Sequence, residues 1–198
     1  MSGRIFSSFT VGRFTIIPAG DPPPQECGIP IILGKKGAFG SGEHETTAAC
    51  LDILPEIPVV NGCSALDLGS GTGVLAIAAA RLGASRVAAV DLEWPAARSC
   101  SENVRLNGLE DRIFSVCGEL AAVGNGCYDL VLANIYEEIL TALADQLVQM
   151  TRSAGYLLLS GIPLQDKFEI VRCYTSRGCA VVDSRIGEDF ATYLLQRR

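Results

Sequence analysis

From residue 45 onward, two hydrophobic patterns alternate along the chain. Short apolar runs predict buried strands, and longer segments with apolar positions three or four apart predict helices. Strands are expected over residues 64–68, 86–90, 113–117, 128–133, 156–160, 179–182 and 190–196. Helices are expected over residues 45–54, 72–82, 95–107, 136–150 and 164–176.

This alternation predicts an α/β fold built on a doubly wound, mainly parallel, seven-stranded sheet. The strands are apolar enough to be buried on both faces. Only residues 183–189 separate the last two strands, which is too short for a helical crossover. These two strands are therefore expected to pair as an antiparallel C-terminal hairpin.

Residues 1–44 follow a different pattern, with closely spaced prolines and three short β-like runs at 9–11, 13–17 and 29–33. Such a pattern is typical of an extended linker segment with a small hairpin. The division predicts an N-terminal segment over 1–44 and one compact domain over 45–198, because 198 residues suit a single α/β domain.

Composition narrows the classes of partner and compartment. The net charge of −6, without a cluster of Lys and Arg, disfavours nucleic acid as the main partner. No apolar run is long enough to span a bilayer and no secretory signal precedes the fold, so a cytoplasmic protein is expected. Eight irregularly spaced cysteines and one histidine do not indicate a metal site; buried thiols are expected, with Cys117 as an example.

The strongest chemical signal is a glycine-rich loop at the junction of a predicted strand and helix, with the sequence Leu-Asp-Leu-Gly-Ser-Gly-Thr-Gly at 66–73. Gly69, Gly71 and Gly73 permit a tight turn and close approach of a ligand to the backbone. The start of the following helix offers free N–H groups. The carboxyl edge of an open α/β sheet is where such folds bind ligands.

The loop fits two cofactor classes. The segment from Gly71 to Ala76 also satisfies the fingerprint of a nicotinamide or flavin dinucleotide site. Asp67, two residues before Gly69, favours the other class: a carboxylate there would repel a pyrophosphate but suits the amino group or sulfonium of S-adenosylmethionine. A methyltransferase is therefore the favoured interpretation, and a dehydrogenase the alternative.

Two more polar residues follow predicted strands. Asp91 lies 18 residues after Gly73, where an acidic residue accepts hydrogen bonds from ribose hydroxyls, or else caps the helix that follows. Asn134 follows the fourth strand of the sheet. It either positions an amine nucleophile and the cofactor, or caps the next helix.

Together these segments resemble the class I S-adenosylmethionine-dependent methyltransferases, and among them the PrmA family of ribosomal-protein methyltransferases. Residues 38–47 match that family's A-F-G-T-G-x-H-x-T-T signature, with Ser41 in place of the threonine. The other matching blocks are 66–73, 90–93 with the later Glu102-Asn103 and Asn107-Gly108, and 133–135.

The resemblance implies a Rossmann-like methyltransferase fold, S-adenosylmethionine as cofactor and S-adenosylhomocysteine as product. It implies cofactor roles for Thr47, Gly69, Asp91 and Asn134, and a loop over 38–47 that covers the cofactor. With the residues above, the predicted cofactor site comprises Phe39, His44, Thr47, Asp67, Gly69, Ser70, Gly71, Gly73, Asp91, Leu92 and Asn134. Asn134 is also the predicted catalytic residue, and His44 is expected to order the loop rather than act as a general base.

The chain departs from the family at two points. Members carry an N-terminal substrate-recognition domain before a linker, and the residues before the signature here look like the linker alone. Phe190 stands where the family usually has a tryptophan. The resemblance implies an amine of a protein as the acceptor, either of a ribosomal protein or of another protein, with Glu43, Glu137 and Glu138 as candidates for substrate contact. A small-molecule or nucleic-acid methyltransferase and an inactive cofactor-binding relative are the alternatives; the sequence gives no oligomeric state.

Overall fold

A computed structural model describes residues 6–34, 42–124 and 126–198 of the chain. The strands are β1 (Phe9–Val11), β2 (Phe14–Pro18), β3 (Ile29–Leu33), β4 (Ser64–Leu68), β5 (Arg86–Asp91), β6 (Ile113–Cys117), β7 (Tyr128–Asn134), β8 (Thr151–Pro163), β9 (Cys179–Ile186) and β10 (Phe190–Arg197). The helices are α1 (Glu45–Ile53), α2 (Val74–Arg81), α3 (Trp94–Leu106), α4 (Glu137–Ala142), α5 (Ala144–Met150) and α6 (Lys167–Thr175).

The central sheet has seven strands in the order β6-β5-β4-β7-β8-β10-β9. The first five strands in this order are parallel, and β10 is antiparallel to both β8 and β9. The predicted mainly parallel, doubly wound sheet and its antiparallel C-terminal hairpin are therefore confirmed.

Side chains that alternate along the central strands enter two separate cores, one on each face of the sheet. In β4, Ala65 packs into one core and Leu66 into the other. In β7, Leu132 and Val131 divide in the same way. This alternation follows from the two-residue period of a strand, and helices on both faces bury the apolar residues that it produces.

The N-terminal strands form a second, three-stranded sheet in the order β1-β2-β3, in which β2 and β3 run parallel. Phe14 and Ile16 from β2 and Ile31 from β3 are fully buried in the same core as α1 and α2. The lead-in segment thus packs on the face of the main sheet that carries α1. The domain boundary predicted at residue 44 stays a prediction.

Three elements are divided or differ from their predicted bounds by four residues or more at one end. The single helix expected over 136–150 is two helices, because Leu143 (φ −96°, ψ 4°) leaves helical geometry between α4 and α5. Leu140 in α4 and Leu147 in α5 pack in the same core, so the apolar stripe that predicted one helix continues across the division. Strand β8 begins five residues early and contains Ala154 in the left-handed region (φ 62°), and β9 extends to Ile186.

All eight cysteines are free thiols, and Cys50, Cys63, Cys100 and Cys179 are buried as expected. The expectation is wrong for Cys27, Cys117 and Cys127, which are exposed, and Cys173 is half-buried. Cys117 lies where β6 ends at the carboxyl edge of the sheet. Over the three described ranges, no helix combines the length and the apolar character needed to cross a membrane.

Candidate active site

The predicted site residues converge on the carboxyl edge of the parallel strands. The glycine loop follows β4, Asp91 ends β5 and Asn134 ends β7. Since β5, β4 and β7 are neighbours in the sheet, these three positions form a continuous row. The start of α1 brings Thr47 to the same edge, where it lines a narrow cavity together with Asp67, Gly69, Ser70, Val74, Leu75 and Asn134.

The glycine loop has a backbone that other residues adopt only with strain. Gly69, Gly71 and Gly73 have φ values of 71°, 55° and 79°. A Cβ on Gly69 would overlap Cγ2 of Ile135, and one on Gly73 would lie 2.6 Å from Cys100 Sγ. The loop is therefore a tight cradle that leaves backbone N–H groups at the start of α2, where Gly73 is an N-cap without a side chain to bond them.

Asp67 lies beneath this cradle with a side chain only 1% exposed. Its Oδ2 accepts a hydrogen bond from the backbone N–H of Ala76 at 3.0 Å. Burial raises the pKa of the Asp67 carboxyl to about 7; the Ala76 hydrogen bond opposes this rise and the nearby negative charge of Asp91 adds to it. The carboxyl thus changes charge near neutrality, and a cation in the adjoining cavity would favour its ionised form.

Asp91 connects the glycine loop to the start of α3. Its Oδ2 accepts from the Gly71 N–H at 2.8 Å, and its Oδ1 accepts from the Glu93 N–H at 3.0 Å. Asp91 is not the N-cap of α3, because that position belongs to Glu93. Each carboxylate oxygen keeps acceptor capacity for a further donor, so Asp91 can hold the loop and accept from ribose hydroxyls at once.

Thr47 and Asn134, which are 87 residues apart in sequence, meet across the cavity. Asn134 Nδ2 donates to Thr47 Oγ1 at 3.2 Å. This hydrogen bond fixes the Asn134 amide and leaves its Oδ1 without a hydrogen-bond partner among the described residues. Asn134 does not cap α4, since Tyr136 occupies the N-cap position. The amide oxygen is thus available as an acceptor at the edge of the cavity.

His44 is the N-cap of α1. Its Nδ1 accepts from the Thr46 N–H at 3.4 Å and lies 2.8 Å from Thr46 Oγ1. Its ring contacts the Phe190 ring edge-on, with centroids 5.4 Å apart. These contacts fit the expected role in ordering the loop.

The remaining predicted residues differ in burial. Ser70 is 6% exposed, and its hydroxyl has no hydrogen-bond partner in the described part of the chain. Leu92, which follows Asp91 in the chain, is 66% exposed, and Trp94 is exposed to the same extent. Phe39 lies outside the described residues. The site therefore offers an unpaired buried hydroxyl, a cradle that only glycine permits and two carboxylates. These groups fit a ligand with hydroxyl and cationic groups, and S-adenosylmethionine has both.

Two asparagines to which sequence reasoning gave no role fasten the lead-in strand to the site. Asn103 Nδ2 donates to the Thr72 carbonyl and its Oδ1 accepts from the Gly34 N–H, both at 2.8 Å. Asn107 exchanges two hydrogen bonds with the backbone of Ile32. The signal was the spacing of four residues on a helix, which places both amides on the buried face of α3.

An acidic cleft lies between α4 and α6, with a volume of about 340 Å³, and α4 begins three residues after Asn134. It is lined by Glu137, Glu138, Thr141, Ala142, Asp166, Glu169 and Ile170. Partial burial raises the pKa of Glu137, and the adjacent Glu138 carboxylate raises it further. The aromatic rings of Tyr136 and Phe168, each 76% exposed, flank the cleft in sequence. Its mouth therefore suits a cationic, partly apolar segment.

Comparison with known proteins gives one consistent group of relatives. Residues 4–198 match the family model described as ribosomal protein L11 methyltransferase (PrmA). A ribosomal protein L11 methyltransferase of Pelobacter propionicus is 43% identical over 173 residues, 84% of this chain and 55% of that protein. Its counterpart in Exiguobacterium is 33% identical over 188 residues, 93% of this chain and 59% of that protein.

Solved structures agree with this grouping. The ribosomal protein L11 methylase of Lactobacillus delbrueckii subsp. bulgaricus superposes with a TM-score of 0.85 at 27% identity, covering 98% of this chain and 100% of that one. An O-methyltransferase family protein from Burkholderia thailandensis has a TM-score of 0.64 at 15% identity, over 74% of this chain and 55% of that one, and shows the fold alone.

Proposed function

Since the chain belongs to the ribosomal protein L11 methyltransferase (PrmA) family, we propose that it is an S-adenosylmethionine-dependent N-methyltransferase acting on amino groups of a protein. The observation that carries this proposal is the row formed by Asp91, the glycine cradle and the Thr47–Asn134 pair along one sheet edge. The chain spans 55–59% of the length of the two curated relatives described above. Its activity and its acceptor are therefore proposals.

Each residue of the row has a distinct task in this proposal. Asp91 would accept from the ribose hydroxyls, and Gly69 lines the cavity at a point where a side chain would collide with Ile135. Asp67, Thr47 and Asn134 line the same cavity and would hold the amino-acid end, which carries the positive charges. When bound, S-adenosylmethionine supplies an activated methyl group on a sulfonium.

The chain's own residues would position the acceptor amine and keep it neutral. Asn134 Oδ1 and the carbonyl oxygen of Ala133 are acceptors that can orient the amine hydrogens. A free lysine amine, with a pKa of about 10.4, is mostly protonated at neutral pH. A site that excludes water and lies near a sulfonium lowers that value, so the proton leaves to solvent before transfer. Alignment and desolvation are then the main contributions of the protein.

The acidic cleft along α4, the helix that begins three residues after Asn134, supports a basic protein segment as the substrate rather than a small molecule. Four of the seven residues that line it are carboxylic acids. Positive charge near such a cleft is attracted over several ångströms, and the attraction weakens with salt. Ribosomal protein L11, the acceptor in the names of the relatives, is the first candidate, and other proteins with lysine or N-terminal amines are the second. The cytoplasmic location expected from the sequence stays a prediction.

Binding and transfer assays test the proposal in sequence. Calorimetry with S-adenosylhomocysteine should show binding to the wild type, with NAD as the negative control. Asp91→Ala and Gly69→Arg should abolish that binding, because the first removes the ribose acceptor and the second fills the cradle. Labelled S-adenosylmethionine should then methylate purified L11 or a protein of a cell lysate. Binding of NAD instead, or wild-type affinity in both variants, would refute the assigned site.

The cleft has its own test. Glu137→Gln combined with Glu138→Gln should raise KM for a basic protein acceptor about fivefold at low salt and leave kcat unchanged, because only attraction is lost. The difference should vanish at high ionic strength. Glu110→Gln, which changes an exposed acid on another surface, is the matched control. An unchanged KM in the double variant would remove the cleft from substrate binding.

A further inference from the structure

Four consecutive residues at the start of α1 each contact a different part of the main sheet. The His44 ring meets Phe190, the Thr46 carbonyl accepts from Ser160 Oγ at 3.3 Å, and Thr47 bonds Asn134. The fourth residue, Glu45, reaches the turn between β9 and β10. The turn is far from the cofactor row in sequence, yet it contacts Glu45, which lies two residues before Thr47.

Glu45 binds the turn with both carboxylate oxygens. Its Oε2 accepts from the Glu188 N–H at 2.8 Å and its Oε1 accepts from the Asp189 N–H at 3.2 Å. Hydrogen bonds to an ionised acceptor are stronger than neutral ones, and two of them fix the direction of the side chain. We call this pair of hydrogen bonds the latch.

Gly187 leaves the space that the latch occupies. A Cβ built on Gly187 would overlap Glu45 Oε2, while the Gly187 backbone has no positive φ that would itself require glycine. The Glu45 carboxylate is the nearest obstacle to a side chain at this position, and the Phe190 carbonyl oxygen lies 3.2 Å from the same Cβ. Alanine at 187 should therefore displace the carboxylate, with only a small shift of the Phe190 carbonyl.

The far end of α1 is tied to the same hairpin. Arg185 Nε donates to Asp52 Oδ2 at 3.0 Å, and Arg185 Nη1 donates to Asp183 Oδ2 at 2.7 Å. Both ion pairs are about one-third to one-half exposed, so they add little stability, but they mark the hairpin as the support for α1. The latch is the part of this support that lies next to Thr47.

We propose that Glu45 is a positioning residue, which through its latch to the β9–β10 turn holds the first turn of α1 where Thr47 meets Asn134 in the cofactor cavity. The proposal rests on the proposed function, because it assigns the Thr47–Asn134 pair to cofactor binding. Without the latch, Thr47 and Asn134 lie in their binding positions in a smaller fraction of the molecules. The apparent affinity for the cofactor is the intrinsic affinity multiplied by that fraction, so it falls in proportion.

A double-mutant cycle on cofactor affinity tests the latch. Calorimetric titration with S-adenosylhomocysteine should give affinities about fivefold weaker for both E45A and G187A than for the wild type. The double variant E45A/G187A should be no weaker than E45A, because the new methyl group then has no carboxylate to displace. E45Q, which keeps one acceptor oxygen, should fall between E45A and the wild type. E188Q changes only the side chain of a turn residue whose backbone N–H takes part in the latch, so it should bind as the wild type does.

Amide hydrogen exchange at Glu188 and Asp189 provides a readout independent of the cofactor, with fast exchange expected in E45A and G187A. Fast exchange with unchanged affinity would overturn the positioning role and leave Glu45 a purely structural residue. Losses that multiply in the double variant would also overturn it, since they would show that the two residues act separately. A wild type that does not bind S-adenosylhomocysteine would instead refute the proposed function.

Discussion

The buried carboxyl of Asp67 predicts that S-adenosylmethionine binds more tightly as the pH rises through neutrality. In the free protein, burial raises the pKa of Asp67 to about 7, so the group is largely protonated below neutral pH. A bound cation in the cavity that Asp67 lines would favour the ionised carboxylate and lower this pKa. Below pH 7, binding must therefore expel a proton, and the affinity falls as the pH falls.

The size of the effect follows from the distance between the two pKa values. Each pKa unit corresponds to about 1.36 kcal/mol, or a factor of about ten in binding. If the cofactor lowers the pKa of Asp67 to about 5 or below, affinity at about pH 6 should be about tenfold weaker than at about pH 8. Calorimetry at several pH values measures this slope, and repeating the titration in buffers of different ionisation enthalpy counts the protons released.

Asp67→Asn is the matched control. Asparagine keeps the shape of the side chain and an acceptor for the Ala76 N–H but has no charge to gain. Its affinity should be weaker than that of the wild type at high pH and almost independent of pH, apart from titration of the cofactor's own amino group. Equal slopes in the two proteins, or no proton release from the wild type at low pH, would refute the electrostatic role assigned to Asp67.

Other predictions concern neighbouring residues. Gly73→Ala should lower the free energy of unfolding, measured in urea, by about 2–4 kcal/mol, because alanine is strained at this positive φ and its Cβ would collide with Cys100. Adding Cys100→Ala should restore only the share of that free energy lost to the collision. Asn103→Ala should cost about 1–3 kcal/mol, since it removes the hydrogen bonds to the Thr72 carbonyl and the Gly34 N–H; full stability would contradict that bonding. Asn134→Ala should lower kcat about 100-fold with a smaller change in S-adenosylhomocysteine affinity, and an unchanged kcat would remove it from catalysis.

Most strands of the fold could be predicted because buried strands of a parallel sheet are short apolar runs with clear ends. Strand β4 and strand β6 have the predicted bounds. Strand β8 does not, because its first part carries Arg152 and Ser153 and turns through the left-handed Ala154, so no apolar run marks it. The division of α4 from α5 was equally hidden, since an apolar period continues through Leu143 and the buried residues on both sides of it pack in the same core.

The sequence predicted which residues line the carboxyl edge of the sheet, but it did not predict the hydrogen bonds between them. Residues such as Asp91 and Asn134 follow strands directly, and parallel strands place their carboxyl ends on one edge. The bond from Asp91 to the Gly71 N–H and the pairing of Thr47 with Asn134 depend on strand order and on the packing of α1, neither of which is written in local spacing. The latch of Glu45 depends on them too, across more than 140 residues.

The place of β10 in the sheet has a consequence for how the molecule is completed. This strand follows β8 and β9 in the chain but lies between them, so neither neighbour has its full set of backbone partners until residues 190–197 arrive. During synthesis, β8 and β9 are therefore complete before the strand that pairs with both of them, and their backbone N–H and C=O groups stay unpaired until then. Nascent chains in this state are prone to aggregate and rely on chaperones. A stop codon just before Phe190 would thus remove more than one strand's worth of pairing. It would leave β8 and β9 each with an unpaired edge that can pair with other copies of the chain.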